Sequence, residues 1–515
     1  MSATSPAPDQ PLLRDAVVIV DTSVSLTLGT DSLFVVGKNC APVPVPYASL
    51  TTRTDERFAR KPDRSCCGLS KSKEPETKHA IALLNVLDAE LRSCTLIITY
   101  ARSAGKNDVS VATLEYPVSQ KESPTIETWV RKLVERAYGT AQRRKRLKVL
   151  VNPFGGTGTA SYLYETYAAP IFAAAKCEMD VQATTHRGHA IEIAEQLDLD
   201  AYDAVICCSG DGLPYEVFNG LGKRPNGREA LARMAVALLP CGSGNGMTWN
   251  CFGTDSVSIT AVEIVKGLRT PLDLVSITQK DSRTLSFLSQ SFGIVADSDL
   301  GTDNIRWMGA QRFTFGFLIR LLQRTIYPCD LAMKVDMKDK AAIKEHYLSF
   351  KNRPDDPPSA DSDRTEAAKQ SPGLPELKYG TVMDKLPEDW EVIPGETMGN
   401  FYAGNMAIMT KDTNFFPAAL PNDGFLDVVT IDGMVSRASS LKMMNELATG
   451  GFFDMPDVNV RKATAFRLVP HEKEGYISID GEQVPFEAFQ AEIHHGLGTI
   501  LSKSGRVYEA EGPRV

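Results

Sequence analysis

The apolar positions divide the chain into an alternating β pattern, a mixed strand and helix pattern, and a second β pattern. Up to about residue 116, short runs such as Val24–Leu28 alternate between apolar and polar residues, which predicts strands. From Leu147 onward, apolar strands alternate with helices, which predicts a doubly wound, mostly parallel α/β sheet. Beyond residue 276 the alternation returns, so we expect a second, β-rich domain of sandwich type.

These changes of pattern set the expected domain boundaries. We expect a β-rich N-terminal extension at residues 1–140 with a mobile loop at 51–77, and a catalytic α/β domain at 145–275. The β-rich domain should occupy residues 276–350 and 395–510. Residues 351–394 carry seven prolines among many charges and show no period, so we expect a disordered insertion there.

Two helices are expected from apolar faces outside the α/β pattern. Residues 125–138 place Ile126, Trp129 and Leu133 on one side, which predicts an amphipathic helix. Residues 305–327 are more apolar than one core-facing stripe requires. Such a helix could line a pocket for an alkyl chain or could be an ordinary buried core helix, and the pattern leaves both interpretations open.

Three apolar strands each lead into a glycine-rich loop between residues 147 and 246. The loops cover residues 152–158, 209–212 and 240–246. Ligands of parallel α/β sheets collect beyond the carboxyl ends of the strands, and glycine lets backbone N–H groups approach a phosphate closely. None of the loops matches the lysine-containing phosphate loop or the dinucleotide fingerprint. Together they predict a phosphate-binding edge.

Asp211 is held between two glycines at the end of a strand. Its carboxylate could take a proton from a hydroxyl, or it could cap the following helix in a tight turn. Glu216 lies about one helical turn further on and can face the same site. Between another strand and helix, residues 184–190 could bind phosphate or ribose, while His186 and His189 fit a cap and a surface histidine better than a metal site.

Composition and charge argue against several classes of protein. The 515 residues suggest two or three domains, and the net charge of −8 argues against a nucleic-acid binder. The ten cysteines lack zinc-site spacing, and the first residues lack a signal-peptide pattern, so we expect a cytoplasmic protein. No uncharged run fits a membrane span, so a membrane partner would be met peripherally. Cys66 and Cys67, near basic residues, could be acylated or could be ordinary loop cysteines.

Several motifs resemble those of sphingosine (long-chain base) kinases in the diacylglycerol-kinase superfamily. They are Val-Asn-Pro-Phe-Gly-Gly from Val151, Ser-Gly-Asp-Gly from Ser209, Pro-Cys-Gly-Ser-Gly-Asn from Pro240 and Asp-Gly-Glu from Asp480. The segment from Asp299 to Arg312 is similar to sphingoid-base kinases in particular. The resemblance covers roughly residues 145–350 and 395–505. It implies transfer of the ATP γ-phosphate to the primary hydroxyl of a sphingoid base, with Mg²⁺ required by the chemistry.

The resemblance also implies roles for single residues. Asp211 would accept the proton of the lipid hydroxyl, and Asp299 would bind the substrate amine. The substrate side would comprise Ser209, Gly210, Asp211, Gly212 and Asp299. The ATP side would comprise Asn152, Pro153, Phe154, Gly155, Gly156, Thr157, Thr184, Thr185, His186, Arg187, Gly188, Gly210, Gly212, Glu216, Gly242, Ser243, Gly244, Arg306, Arg312, Asp480, Gly481 and Glu482. No Mg²⁺ ligand set is legible, although Asp211 or Glu482 could reach the ion.

The predicted substrate class depends on whether the lipid carries an amine. Desolvating a cation beside a lipid pocket demands a carboxylate partner, which diacylglycerol or ceramide would not require. Asp297 is the alternative to Asp299, since on a strand both would share a face. Open alternatives are a diacylglycerol or ceramide kinase, a non-catalytic lipid- or nucleotide-binding scaffold, and a soluble nucleotide kinase such as an NAD kinase. The scaffold predicts a damaged glycine loop, and the soluble kinase predicts no alkyl pocket.

Overall fold

The computed structural model describes residues 17–21, 24–37, 77–156, 158–301, 325–353, 364, 366, 368–369, 372–447 and 450–514. It divides into two compact units, residues 1–139 and 140–515. The Cys66–Cys67 pair and most of the predicted helix at 305–327 lie outside the described residues. Within those residues, no helix has both the length and the apolar character needed to cross a membrane.

The first unit contains two antiparallel sheets and a helix. Its elements are β1 (Val17–Asp21), β2 (Val24–Leu28), β3 (Ser32–Gly37), β4 (Thr77–Ala82), β5 (Val86–Arg92), β6 (Thr95–Ser103), β7 (Val109–Pro117) and α1 (Ser123–Tyr138). The first four strands form one sheet and the next three form another. Helix α1 packs against β5 with the predicted face, including Ile126, Trp129 and Leu133, buried. The β-rich character of the N-terminal extension is therefore confirmed.

The second unit begins with a parallel α/β sheet. Its elements are β8 (Arg146–Val151), α2 (Ala160–Leu163), a π-helical turn (Tyr164–Ala168), α3 (Ala169–Ala174), β9 (Glu178–Ala183), α4 (His189–Gln196), β10 (Ala204–Ser209), α5 (Gly212–Lys223), α6 (Gly227–Arg233), β11 (Ala235–Pro240), α7 (Gly246–Phe252) and α8 (Val257–Lys266). The spatial order is β11-β10-β8-β9, with every pair parallel. Every residue of β10 and β11 is buried, as expected for strands covered on both faces. The predicted α/β class is confirmed.

The remaining elements form a β-rich region. They are β12 (Leu268–Gln279), β13 (Ser282–Ser286), β14 (Ser289–Gly293), α9 (Ile294–Leu300), β15 (Cys329–Met337), α10 (Lys340–Lys351), β16 (Glu391–Ile393), β17 (Met398–Gly404), β18 (Ile408–Thr410), β19 (Thr413–Asn414), β20 (Leu426–Asp432), α11 (Arg437–Leu447), β21 (Asn459–Pro470), β22 (Ile477–Ile479), β23 (Glu482–Val484) and β24 (Phe489–Ser502). Its core is aromatic, with the Phe466 ring centroid 4.8 Å from that of Phe401 and 5.5 Å from that of Phe489.

Strand β24 joins the parallel sheet to the β-rich region. It pairs in parallel with β11 at Val236 and Ile500, and antiparallel with β21. It also pairs with β12 along almost its full length, apart from a bulge at Asp273. The buried Asp273 carboxylate accepts the N–H groups of Gly424 and Gly496, each at 2.6 Å, and so fixes the bulge. The catalytic sheet and the β-rich region therefore share one continuous hydrogen-bonded sheet.

The expected disorder of residues 351–394 is wrong for residues 372–394. The ring of Tyr379 packs edge-on against buried Trp390 at 5.5 Å, and Leu386 packs on the same small core. The Glu492 carboxylate accepts the N–H groups of Lys378 at 2.8 Å and Tyr379 at 3.0 Å. The segment has no period because it follows the sheet as an irregular chain, held by a few large side chains.

Candidate functional site

The three glycine-rich loops meet beyond β8, β10 and β11. A Cβ on Gly242 would lie 2.4 Å from Cα of Gly210, and a Cβ on Gly156 would lie 3.0 Å from the carbonyl oxygen of Cys241. Gly156 also has a φ of +57°, a conformation that favours glycine. The loops therefore contact each other backbone to backbone. We call this surface, Gly156 with Gly210 and Gly242, the glycine floor.

Asp211 links the second loop to the third. Its Oδ2 accepts the N–H of Gly246 and its Oδ1 accepts the N–H of Met247, both at 2.9 Å. The Asp211 carboxylate does not cap its own helix α5, which was the alternative role. Burial raises the pKa of this carboxyl, and the two N–H groups partly offset the rise. Because each oxygen keeps further acceptor capacity, Asp211 is a fixed carboxylate that can still receive a proton.

Asn245 closes the third loop, and the sequence reasoning missed it. Its Oδ1 accepts the N–H of Gly242 and its Nδ2 donates to the Gly242 carbonyl, both at 2.9 Å. Its φ of +55° belongs to the left-handed region, which asparagine tolerates better than most residues. Ser243 is consequently exposed at the loop tip. The Gly-Ser-Gly-Asn-Gly spacing was the available signal.

The first loop is stabilised by Asn152. Its N–H donates to the Cys208 carbonyl at 3.1 Å, and its Oδ1 accepts the N–H of Phe154 at 3.0 Å. A Cβ on Gly155 would lie 3.0 Å from Asn152 Nδ2. After Pro153, the Phe154 ring is 76% exposed, so it is available to a ligand. Thr157 lies outside the described residues.

Residues 184–188 lie beside this floor. Thr184 is buried and donates its N–H to the Val151 carbonyl at 2.8 Å. Thr185 donates its N–H to His189 Nδ1 at 3.0 Å, and the His189 ring stacks on His186 with centroids 4.9 Å apart. The two histidines thus contact each other and His189 contacts Thr185, while the predicted ATP contact of His186 stays a prediction. Within the described residues, no group of three or more His, Cys, Asp and Glu side chains could hold a metal ion.

Glu216 holds the start of helix α4. Its two carboxylate oxygens accept the N–H groups of Gly188 at 2.9 Å and Ala190 at 3.1 Å. These donors have no intrahelical acceptor, and a negative charge is favourable at a helix N-terminus. Direct contact of Glu216 with ATP stays a prediction, because the structure engages this carboxylate with backbone N–H groups.

The Asp480–Glu482 turn contributes to the site in two different ways. Buried Asp480 accepts the Ser286 hydroxyl and the N–H groups of residues 287, 288 and 289. Burial raises the pKa of Asp480 to about 6 despite these bonds. Gly481 faces open space. Glu482 lies at the floor: its Oε1 is 3.1 Å from the Cβ position of Gly212, and its Oε2 pairs with Arg187 at 2.5 Å.

The prediction that Asp297 and Asp299 could share a strand face is wrong, because both lie on helix α9. Residues two apart on a helix point to nearly opposite sides. Asp297 accepts the hydroxyl of Tyr327 at 2.8 Å. Asp299 lies on the other side of the helix. Burial raises the pKa of Tyr402, the hydrogen bond with Ser289 lowers it, and the negative charges of Asp299, Asp480 and Asp211 raise it.

A small cavity of about 50 Å³ lies beside α9. Its walls include Val295, Asn400 and Phe415, together with Met443 and Met444 of α11. Its predominantly apolar lining suits an alkyl chain. Arg306 and Arg312 lie outside the described residues, so their predicted nucleotide contacts stay predictions.

Comparison with known proteins agrees with this architecture. Residues 146–277 match the family described as diacylglycerol kinase catalytic domain, and residues 396–501 match the YegS C-terminal NAD kinase beta sandwich-like domain. Residues 16–139 match a domain of unknown function, DUF7493. Sphingoid long chain base kinase 4 of Schizosaccharomyces pombe is 34% identical over 417 residues, covering 79% of this chain and 86% of that protein. The chain belongs to the sphingoid long-chain base kinase family.

Other members of this family are also similar. Sphingoid long chain base kinase 5 of Saccharomyces cerevisiae is 34% identical over 430 residues, which span 74% of this chain and 63% of that protein's length. Human sphingosine kinase 1 is 27% identical over 378 residues, covering 71% of this chain and 92% of the human protein. Among solved structures, a putative diacylglycerol kinase from Bacillus anthracis covers 70% of this chain and 97% of its own, with 17% identity and a TM-score of 0.46.

Proposed function

We propose that this kinase transfers the γ-phosphate of ATP to the primary hydroxyl of a sphingoid long-chain base. The observation that carries the proposal is the shared position of two carboxylates and an apolar cavity. The ring of Tyr402 packs on Phe415 of the cavity wall, and the negative charges of Asp211, beside the glycine floor, and of Asp299, on α9, both raise the pKa of Tyr402. Helix α9 also contributes Val295 to the cavity wall. A lipid with an alkyl chain, an amine and a hydroxyl would match these three features.

The chain's own groups would act in a single displacement. Asp211 takes the proton of the lipid hydroxyl as the oxygen forms its bond to the γ-phosphorus, and the bond from that phosphorus to the β-phosphate oxygen breaks. Backbone N–H groups of the floor loops would bind phosphate oxygens. The Arg187 guanidinium, 79% exposed and held by Glu482, would add positive charge beside them.

Mg²⁺ fits the carboxylates at this edge. In sites of this kind the ion is bound by substrate phosphates and only one or two carboxylates, with water completing the octahedron. The Glu482 carboxylate lies against Gly212, the residue that follows Asp211. These two carboxylates are the candidate ligands, and the bound ion would neutralise charge on the transferred phosphate.

Asp299 selects the substrate in this proposal. An ammonium group entering an apolar cavity requires a carboxylate partner. Asp297 accepts the Tyr327 hydroxyl on the other side of α9, whereas the charge of Asp299 influences Tyr402, as does that of Asp211. The arrangement favours an amine-bearing lipid over diacylglycerol or ceramide.

We further propose that the kinase meets its lipid at a membrane surface on the cytoplasmic side. Three exposed apolar side chains, Ile326 at 41%, Met434 at 61% and Leu441 at 46%, follow or precede residues that line the cavity. Such a cluster next to an alkyl pocket suits contact with a bilayer. Wild type should sediment with vesicles, whereas a Met434→Ser and Leu441→Ser double variant should stay in the supernatant and keep its activity on detergent-dispersed substrate.

The proposed activity is tested with labelled ATP and three acceptors: sphingosine, diacylglycerol and ceramide. Label should enter sphingosine. Asp299→Asn should raise the KM for sphingosine at least about 10-fold and leave the KM for ATP unchanged, since it removes the charge that faces the amine. Asp297→Asn is the matched control and should change either constant by less than about twofold. Labelling of diacylglycerol alone, or equal effects of the two variants, would refute the amine assignment.

A further inference from the structure

Tyr402 lies between the apolar cavity and the catalytic loops. It stands on the same face of β17 as Asn400, two residues earlier, which lines the cavity. The Tyr402 ring packs edge-on against Phe415, another lining residue, at 4.9 Å, and against Phe416 at 5.0 Å. The aromatic ring of Tyr402 therefore packs behind Phe415 of the cavity wall.

The hydroxyl of Tyr402 lies toward the nucleotide side. It is 3.3 Å from Ser289 Oγ, and the Ser289 N–H donates to Asp480 Oδ1 at 2.9 Å. A phenol can donate one hydrogen bond and accept two, so this long contact leaves capacity for a ligand. Burial, aided by three nearby carboxylates, raises the pKa of Tyr402, and the phenol stays protonated at neutral pH.

The Tyr402 hydroxyl lies in largely apolar surroundings, where burying a polar group is unfavourable. Tyr402 is buried among phenylalanine rings, where a phenylalanine would fill almost the same space without the penalty of burying a hydroxyl. In the proposed function, a lipid with its chain in the cavity and its amine near Asp299 would bring its hydroxyl close to this phenol, because the charges of both Asp299 and Asp211 influence Tyr402. The phenol is thus the neutral donor on the path between two carboxylates.

We propose that Tyr402 is a positioning residue, whose hydroxyl bonds the polar head of the lipid and aims the acceptor hydroxyl at Asp211 and the γ-phosphate. This inference rests on the proposed function. It predicts that Tyr402 favours the lipid hydroxyl over water as phosphate acceptor. A residue with only a packing role would not affect that choice.

The test is Tyr402→Phe, which keeps the ring contacts. We expect kcat for sphingosine to fall about 10-fold, corresponding to one lost hydrogen bond, with the KM for ATP unchanged. The ratio of ATP hydrolysis to lipid phosphorylation should rise by a similar factor, and Tm should stay within about 2 °C. The matched control is Tyr327→Phe, which loses a hydroxyl bonded to Asp297 and should leave the ratio within about twofold.

Two results would overturn the proposal. The first is a Tyr402→Phe variant with wild-type kcat and an unchanged hydrolysis ratio. The second is a loss of activity accompanied by an equal loss of ATP binding and a large fall in Tm, which would make the role structural. If wild type phosphorylates no sphingoid base, the proposed function fails instead. Binding of tritiated sphingosine then decides the matter for Tyr402, since equal affinity of wild type and variant would refute it.

Discussion

Replacing Gly242 with alanine tests whether the glycine floor positions Asp211. A methyl group at this position would lie 2.4 Å from Gly210 Cα and 2.8 Å from Gly210 N, both of them backbone atoms. Carbon atoms in contact need about 3.5 Å, so the second and third loops would have to separate by roughly 1 Å. The two hydrogen bonds from Gly246 and Met247 to Asp211, now 2.9 Å each, cross that same gap.

Overpacking of this kind costs about 1–3 kcal/mol of stability, and a 1 Å displacement of a catalytic group costs about 100-fold in rate. The assay pairs thermal unfolding with steady-state phosphorylation of sphingosine. We expect Gly242→Ala to lower Tm by several degrees and kcat by about 100-fold.

The matched control in the same loop is Gly244→Ala, whose methyl group would meet its nearest atom, Asp211 Oδ2, at 3.5 Å. Its Tm should equal that of wild type. If Gly242→Ala keeps wild-type Tm and kcat, or if the control loses as much stability, the loops are not interlocked in the way described.

Three further predictions concern the carboxylates. Asp211→Asn should keep the fold and lower kcat by about 10²–10⁴-fold. Because burial raises the Asp211 pKa, the pKa that governs the fall of wild-type kcat/KM at acid pH should lie above the ordinary value for aspartate. A fall governed by the ordinary aspartate pKa would contradict this. Glu216→Gln should raise the KM for ATP several-fold, because it places an amide donor against the N–H of Gly188 or Ala190. Glu192→Gln, at an exposed position of helix α4, is the control and should leave the KM for ATP unchanged. Asp480 has a pKa of about 6 in the folded protein, above its unfolded value. Its contribution to stability is therefore complete below the unfolded pKa and is lost as pH rises through 6. Between pH 4 and 7 the Tm of Asp480→Asn should fall less than that of wild type, and parallel curves of Tm against pH would refute the assignment.

The sequence predicted the local parts of the site well. A strand followed by glycines is a short-range signal, and all three predicted strands end at loops that meet on one sheet edge. Asp211 could be singled out because a carboxylate between two glycines is rare as a packing element. The partners of Asp211 could not be predicted, because the N–H groups of Gly246 and Met247 come from a different loop.

The misses have physical causes. Strand β24 was overlooked because His494, His495 and Gly496 interrupt its apolar pattern, and the bulge opposite Asp273 is a tertiary feature. A strand was considered for Asp297 and Asp299, but both lie on helix α9, which has only seven residues and therefore too few turns to show a helical period. Residues 372–394 looked disordered because their order depends on contacts with distant strands, which no local pattern encodes.

The shared strand limits how this enzyme can move. Since β24 pairs with β11 at one end and with β21 at the other, a rigid-body hinge between a nucleotide lobe and a lipid lobe would have to break the β11–β24 pairing or bend β24 itself. Substrate entry must then rely on loops and helices at the rim. The two halves of the kinase should also not fold when expressed separately, because each half would expose an unpaired edge of the sheet.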